Sequence, residues 1–261
     1  MVNEVVKYDV SLNDVSFRKF NAKEQDLFFA ICSKLKDRYT EEIVFSFDQL
    51  RELSRYNSTS VDRFMDDIEG TYAKLLNLSY GERTATRRRR FVLFTKYDID
   101  SVAQTVTIGV NKEFQFLLND FTSFVKFELD EYTDIASTYS KTLYRKLKQF
   151  RETGYYVVKV EEFRRLLDIP ESYSMSDIDK RVLAPVKKEL SPLYTNFRIR
   201  KIKARKQNKI DRLEFYFTEP PQEDLSFLRY NWITETYNES KEEKYKREKT
   251  AQENARREKE E

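Results

Sequence analysis

The chain has 261 residues, 15% of them aromatic, and its 48 Lys and Arg nearly balance its 45 Asp and Glu, which leaves a net charge of +3. This length allows two small domains with their own cores, and the scarcity of Gly and Pro argues against a low-complexity protein. No apolar run approaches the length of a membrane span and the N-terminus lacks a signal-peptide pattern, so we expect a cytoplasmic protein without a membrane partner.

The first half alternates strands and helices. Asn21 and Ser46 are followed three residues later by Glu24 and Gln49, which are capping-box patterns that predict helix starts. The predicted elements are a strand at Val5–Leu12, a helix at Asn21–Lys36, a strand at Ile43–Phe45, a short helix after Ser46, a helix at Val61–Leu76 and a hairpin from Arg87 to Val110 around residues 98–101.

The second half follows a similar order. Its last helix carries Ile178, Val182 and Val186 at helical spacing, and the hairpin after it alternates apolar and basic residues. The predicted elements are a short helix at residues 111–120, a strand at Phe124–Leu129, a long helix at Glu131–Phe150, a strand at residues 155–158, a helix at Val160–Leu167, a loop at Pro170–Ser176, a helix at Asp177–Leu190 and a hairpin at Phe197–Phe217.

The two halves repeat one pattern. The segment from Ser33 to Leu53 aligns with that from Arg145 to Leu167, and each half continues through a loop, a helix and a hairpin. This order is typical of a winged helix, so the sequence predicts an α+β protein, a tandem pair of winged-helix domains related by internal duplication. We expect domains at residues 1–125 and 126–220, followed by a charged tail at 221–261 that is helical or disordered.

Positive charge is concentrated in the second half, where residues 179–212 hold twelve Lys or Arg and three acids. Localised positive charge indicates a polyanion partner, and a helix beside a basic hairpin favours double-stranded DNA. The predicted DNA contacts are Ser176, Lys180, Arg181, Ala184, Lys187 and Lys188 on the helix and Arg198, Arg200, Lys203, Arg205, Lys206 and Lys209 on the wing. Pro185 interrupts this helix, so we expect a kink there or a helix that becomes regular only nearby.

The corresponding helix of the first half is acidic, with Asp62, Asp66, Asp67 and Glu69 on its polar face. Such a face does not favour entry into a DNA groove. The first domain is therefore expected to contact the DNA backbone through Arg87, Arg88, Arg89 and Arg90, or to hold a partner subunit.

Several kinds of chemistry are missing. The chain has no histidine, which excludes Ser-His-Asp and Cys-His catalysis, and its four isolated glycines form no phosphate-binding loop. Cys32 lies among apolar residues and is expected to be a core thiol. Acid clusters such as Asp130 and Glu131 fall in the first turns of helices, where the helix dipole favours them. We therefore expect no catalytic residue, no metal, no cofactor and no enzyme activity.

Three segments carry a family resemblance: YSKTLYRKLKQF from Tyr139, VEEFRRLLDIPESY from Val160 and DIDKRVLAPVKKEL from Asp177. Together with the N-terminal stretch from Val5, they resemble the initiator proteins of iteron-containing bacterial plasmids. The resemblance implies two winged-helix domains that bind direct repeats in origin DNA. It also implies a homodimer formed through the first domain in equilibrium with a monomer, autoregulation, and recruitment of the host initiator and replicative helicase.

Other functions stay open on the sequence alone. A winged-helix transcriptional repressor without initiator activity would have almost the same sequence features. A structural or partner-binding protein with an incidental basic surface would bind no DNA at physiological salt. An enzyme is the least favoured alternative.

Overall fold

The computed structural model describes residues 4–17, 19–36, 41–56, 60–83, 86–119, 123–204, 209–220, 228–231 and 236–239. Residues Glu4–Pro220 form one compact unit, and Met1–Asn3 with Pro221–Glu261 form the other. The division between domains at residue 125 stays a prediction, because both winged helices lie within the first of these units.

The elements of the larger unit follow the predicted alternation. The strands are β1 (Val5–Asp9), β2 (Glu42–Ser46), β3 (Ser79–Arg83), β4 (Arg88–Val92), β5 (Phe94–Asp100), β6 (Thr105–Val110), β7 (Phe124–Glu128), β8 (Tyr155–Lys159), β9 (Thr195–Lys203) and β10 (Ile210–Thr218). The helices are α1 (Ala22–Leu35), α2 (Phe47–Leu53), α3 (Val61–Leu75), α4 (Lys112–Asn119), α5 (Leu129–Asp134), α6 (Thr138–Gln149), α7 (Val160–Leu166), α8 (Met175–Ile178) and α9 (Ala184–Leu190).

Two modules share one architecture, which confirms the predicted tandem winged helices. The first module has an antiparallel sheet of order β2-β6-β5, and the second has one of order β8-β10-β9. One face of each sheet is covered by helices, and alternate strand residues such as Ile108 and Phe215 enter the core. The duplicated helices α3 and α9 both bury one apolar stripe, at Phe64, Ile68 and Tyr72 in α3.

The duplication extends further than the sequence comparison indicated. Strand β1 opens the first module and β7 opens the second, and the two pair antiparallel with Lys7 opposite Lys126. The segments around them, Val6-Lys7-Tyr8 and Val125-Lys126-Phe127, are nearly identical. This pairing joins the modules through a shared two-stranded sheet.

Local signals placed the starts of α1 and α2 correctly. Asn21 and Ser46 accept hydrogen bonds from the backbone N–H groups of Glu24 and Gln49, and both capping boxes are complete. Cys32 is fully buried, as expected for a core thiol.

Three predicted elements differ from the structure. The first strand ends at Asp9, whose side chain caps a 3-10 helix at Val10–Asp14. The predicted long helix from Glu131 is instead α5 and α6, which are separated at residues 135–137 because buried Ile135 adopts an extended backbone. The arginine-rich segment does not join the hairpin with β6, because β4 pairs with β3, whereas the hairpin partner of β6 is β5.

Helix α6 carries three buried cations. Lys141 and Arg145 contact residues of the first module, and Lys148 contacts residues of the second. The Nζ atom of Lys141 lies 2.5 Å from Oδ1 of Asp26 on α1, and both side chains are almost fully buried. The guanidinium of Arg145 lies 4.8 Å from the ring centroid of Phe17. Lys148 pairs with Glu131 at 3.3 Å and with Glu219.

The predicted tail is only partly within the described residues. Leu228–Asn231 pairs with Thr236–Glu239 as a short antiparallel hairpin, which the prediction of a helical or disordered tail did not include. The other residues beyond Pro220 lie outside the described part of the chain.

The Asp26–Lys141 pair generates a stability prediction. Burial raises the pKa of Asp26 to about 6 and lowers the pKa of Lys141. Lys141→Met leaves the buried Asp26 carboxylate with only the largely exposed Lys23, whose Nζ lies 3.6 Å from Oδ2. We therefore expect a loss of about 3–5 kcal/mol in the free energy of unfolding at pH 8. Urea denaturation measures this loss.

The same variant has a predictable pH dependence. Without the ammonium group, the folded-state pKa of Asp26 rises further above its unfolded value, so the penalty disappears once the pH falls below that folded pKa. The deficit relative to the unsubstituted protein should therefore be smaller at pH 5 than at pH 8. The double variant Asp26→Leu/Lys141→Met is the control and should lose far less; an equal loss in both variants contradicts the role of the unpaired charge.

Candidate nucleic-acid interface

The second module presents one continuous helical segment from Met175 to Leu190. It consists of α8, a π-helical turn at Asp179–Leu183 and α9. Its buried side holds the predicted apolar stripe, namely Ile178, Val182, Leu183, Val186 and Leu190. This stripe fixes which side of the helix faces solvent.

The π turn accommodates Pro185. Ala184 donates its backbone N–H to the carbonyl of Asp179, five residues earlier. Proline has no N–H, and in a regular α-helix its ring clashes with the carbonyl four residues before it. The wider turn just before Pro185 displaces that carbonyl, and the backbone at Leu183 and Ala184 remains helical. The expected kink is therefore a π turn.

Every predicted contact on this helix is exposed. The solvent side carries Ser176, Lys180, Arg181, Ala184, Lys187 and Lys188. Arg181 lies 3.4 Å from the hydroxyl of Tyr173 and 3.8 Å from Oδ1 of Asp177, so its side chain is held beside the start of the helix. The contact of these six exposed residues with DNA stays a prediction.

The helix starts two residues earlier than expected. Ser174, not Ser176, is the N-cap, and its hydroxyl oxygen accepts a hydrogen bond from the N–H of Asp177 at 3.2 Å. The Asp177 carboxylate accepts from Ser174 in return, which completes a capping box and lowers the pKa of Asp177. Ser176, a predicted DNA contact, therefore lies inside the first turn and not at the helix end.

The loop before the helix is held by a residue that the sequence analysis missed. Arg164 on α7 donates to the carbonyl oxygens of Pro170 and Tyr173, at 3.2 and 2.5 Å. These bonds fix the position of the N-cap. No local pattern marks Arg164, because its acceptors are backbone atoms of a loop.

Strand pairing decides which wing residues lie on the helix side. Leu213 and Phe215 of β10 are buried against the helices, and they pair with Lys201 and Ile199 of β9. Lys201 therefore lies on the helix side, where its Nζ reaches Oδ2 of Asp179 in the π turn at 2.6 Å. Lys201 was not among the predicted contacts, although its spacing of two from Ile199 places it on the same strand face.

Lys203 follows Lys201 by two residues and lies on the same side of β9. Lys209 is exposed and directly precedes β10. Arg205 and Lys206 were predicted to line the wing tip, and they lie outside the described residues.

Arg198 and Arg200 are on the opposite face. They pair with Tyr216 and Glu214, which alternate with the buried residues of β10, and the Arg198 guanidinium lies 5.2 Å from the Tyr216 ring centroid. Strand pairing therefore places Arg198 and Arg200 on the sheet face opposite the helices, and their contact with DNA stays a prediction. Alternation along β9 separates its two faces, but only the pairing with β10 decides which of them packs on the helices.

The first module differs in charge at the matching positions. Asp62, Asp66, Asp67 and Glu69 are exposed on α3, as predicted. Arg88, Arg89 and Arg90 lie on β4, in a hairpin separate from the β5–β6 wing, and Arg87 directly precedes it. Arg89 forms an ion pair with Glu113. Arg87, Arg88 and Arg90 are exposed, and their contact with a DNA backbone stays a prediction.

The described residues contain neither a candidate metal site nor a helix that could span a membrane. No group of three or more His, Cys, Asp or Glu side chains with metal-binding geometry occurs among them. None of their helices is both long and apolar enough to span a membrane.

The capping box predicts different effects for the two neighbouring serines. Ser174→Ala removes the hydroxyl that accepts from Asp177, so we expect a loss of roughly 1 kcal/mol in the free energy of unfolding. Ser176→Ala is the matched control, and this exposed substitution should change stability by less than about 0.5 kcal/mol. Urea denaturation of both variants tests the assignment, which fails if Ser176→Ala is the more destabilising change.

Comparison with known proteins agrees with this geometry. A family model described as "Initiator Replication protein, WH1" matches residues 5–148, and one described as "Initiator Rep protein, WH2" matches residues 159–217. A curated protein of Bifidobacterium longum (strain NCC 2705), "Probable replication protein rep", is 40% identical over 197 residues, which cover 74% of this chain and 66% of that protein. The match thus spans slightly less than two thirds of that relative.

Among solved structures, the Pi initiator protein in complex with iteron DNA has a TM-score of 0.66 at 10% identity, covering 84% of this chain and 99% of that one. At this identity the similarity supports the fold alone. Domains 2 and 3 of RctB match with a TM-score of 0.44 at 9% identity, over 76% of this chain and 82% of that one, which is too low to support an argument. Because both family models match and together span most of its length, the chain belongs to the family of initiator replication proteins with two winged-helix domains.

Proposed function

We propose that this chain initiates plasmid replication by binding repeated origin DNA through its second module. The observation that carries the proposal is the exposed basic side of the helical segment Met175–Leu190, flanked on the helix side of the wing by Lys201 and Lys203. Membership of the initiator family supports it, and does not favour a repressor without initiator activity.

The helix is proposed to enter the major groove. Lys180 and Arg181 have the donors that recognise guanine edges, and the methyl group of Ala184 suits contact with a thymine methyl. The exposed positions Lys187 and Lys188 lie one to two turns further along. Because Lys201 binds Asp179, the wing is coupled to the π turn, which holds the two DNA-facing elements in one arrangement.

The solved Pi initiator bound to iteron DNA provides an analogy for the docking mode. We propose that this chain likewise binds tandem direct repeats. Lys203 and Lys209 are proposed to contact phosphates, which fix register without reading sequence. The exposed Arg87, Arg88 and Arg90 of the first module are proposed as additional backbone contacts.

The remaining proposals rest on the family resemblance. The first module is proposed to form the homodimer that is in equilibrium with the monomer, since its acidic α3 does not suit a DNA groove. Host initiator and replicative helicase are the proposed protein partners. The protein is proposed to act in the bacterial cytoplasm without enzymatic activity, which agrees with a sequence that contains no histidine.

Sequence readout by the helix is tested with Lys180→Ala/Arg181→Ala. We expect affinity for the cognate repeat to fall at least tenfold, because each bidentate base contact contributes about 1–3 kcal/mol. Affinity for scrambled DNA should fall much less. Gel-shift titrations with both DNAs measure the ratio.

The matched control is Arg165→Ala, which removes an exposed cation from α7. An equal loss on both DNAs in the helix variant contradicts base readout. Equal affinity of the unsubstituted protein for repeats and scrambled DNA contradicts the proposed function as a whole.

Phosphate binding by the wing is tested through salt dependence. In Lys203→Ala/Lys209→Ala, the slope of log affinity against log salt should become shallower by about 0.9 for each phosphate that the variant no longer neutralises. Arg198→Ala/Arg200→Ala removes the same charge from the opposite sheet face and should leave the slope for a single repeat unchanged. The reverse result contradicts the assignment of the wing faces.

A further inference from the structure

The second sheet has a face that no described helix covers. This outer face is the side of β8, β10 and β9 opposite the helices. Its residues are Tyr155, Val157, Lys159, Arg198, Arg200, Ile202, Arg212, Glu214 and Tyr216. Val157 is 41% exposed, and Lys159, Arg198, Arg200 and Arg212 are also exposed.

Tyr155, Tyr216 and Arg198 form an aromatic and arginine cluster on this face. The rings of Tyr155 and Tyr216 lie 5.0 Å apart, and the Arg198 guanidinium lies 5.2 Å from the Tyr216 ring. Both tyrosine hydroxyls bond to Glu214, at 3.3 and 2.9 Å. A recess of 660 Å³ opens beside Arg198 and Tyr216. Tyr and Arg are enriched where proteins bind one another, because they bury large areas from few conformations.

The first module provides an internal comparison. The matching outer face of β2, β6 and β5 has no aromatic residue, one cation and three carboxylates, which are Lys96, Glu42, Asp98 and Asp100. The face of the second sheet has four cations and one carboxylate. The basic and aromatic character is therefore specific to the second module and is not a requirement of the fold.

This face is separate from the proposed DNA surface. Arg198 and Arg200 point away from α9, so the outer face stays accessible when the helix occupies a groove. Neither guanidinium forms an ion pair with another residue in the described part of the chain.

The same chain carries a complementary surface. Asp62, Asp66 and Glu69 lie at i, i+4 and i+7 on α3, so they form one exposed stripe. Within the described residues, these three carboxylates form no ion pair. Four helical residues rise about 6 Å, close to the roughly 6.8 Å between side chains two apart on a strand. The spacing of Asp62 and Asp66 thus fits that of Arg198 and Arg200.

We propose that the outer face of the second sheet binds the acidic stripe of α3 from a second copy of this chain on the neighbouring DNA repeat. The inference rests on the proposed binding to direct repeats. Direct repeats hold successive copies in the same orientation, which requires contact between two different surfaces. The basic outer face of the second module and the acidic stripe of the first module are two such surfaces. Helix on sheet is also a common packing arrangement.

The test compares DNA carrying one repeat with DNA carrying two in tandem. The variants are Arg198→Glu/Arg200→Glu on the outer face, Asp66→Lys/Glu69→Lys on the stripe, and the charge-swapped protein with all four changes. The control is Lys112→Glu/Arg165→Glu, which reverses two exposed cations on α4 and α7, away from both surfaces.

We expect the unsubstituted protein and the control to bind the second repeat at least tenfold more tightly than the first. Either double reversal should abolish this enhancement while affinity for one repeat stays within about twofold. The charge-swapped protein should regain it. Inserting half a helical turn, about 5 base pairs, between the repeats should abolish the enhancement in the unsubstituted, control and charge-swapped proteins, because the copies then lie on opposite sides of the DNA.

Three results overturn the inference: no enhancement in the unsubstituted protein, enhancement that survives both double reversals, or loss of single-repeat affinity in Arg198→Glu/Arg200→Glu, which would place these arginines on DNA. Failure of the proposed function is distinguishable, because the unsubstituted protein would then not discriminate one repeat from scrambled DNA.

Discussion

The buried cations of α6 hold the two modules together. Burying an ammonium or guanidinium group is costly unless a partner compensates the charge. Lys141 has Asp26 of the first module, Arg145 has the ring of Phe17, and Lys148 has carboxylates at both ends of the second module. Lys141 and Arg145 keep these partners only while the modules stay together. The relative position of the modules is therefore strongly specified inside the unit Glu4–Pro220.

This constraint reaches the proposed DNA surface. Helix α9 packs against α6, and Glu189 of α9 accepts a hydrogen bond from the N–H of Ser137 at the start of α6. At the other side, the pairing of β1 with β7 joins the first strands of both modules. Helix α6 and the β1–β7 sheet thus connect the first module to the basic helix and its wing. The orientation of the basic helix relative to the first module depends on α6.

The duplicated scaffold separates architecture from charge. Both modules keep the three-stranded sheet and the apolar stripe of the helix before the wing, α3 or α9, because these form the cores. The solvent sides have diverged: α3 is acidic where α9 is basic, and the outer sheet faces differ in the same sense. The basic helix also contains a proline in its interior, which a regular α-helix excludes. The π turn before Pro185 accommodates it.

The sequence by itself determined what depends on neighbours along the chain. Capping boxes placed the starts of α1 and α2, apolar spacing identified the buried sides of α3 and α9, and the uneven charge identified the basic helix. Only the tertiary structure decided what depends on distant residues. The partner of β4 is β3, the face of β9 that carries Arg198 follows from its pairing with β10, and Lys141 is buried because α1 supplies Asp26. Strand partners and buried ion pairs join residues far apart in sequence, so no local pattern specifies them.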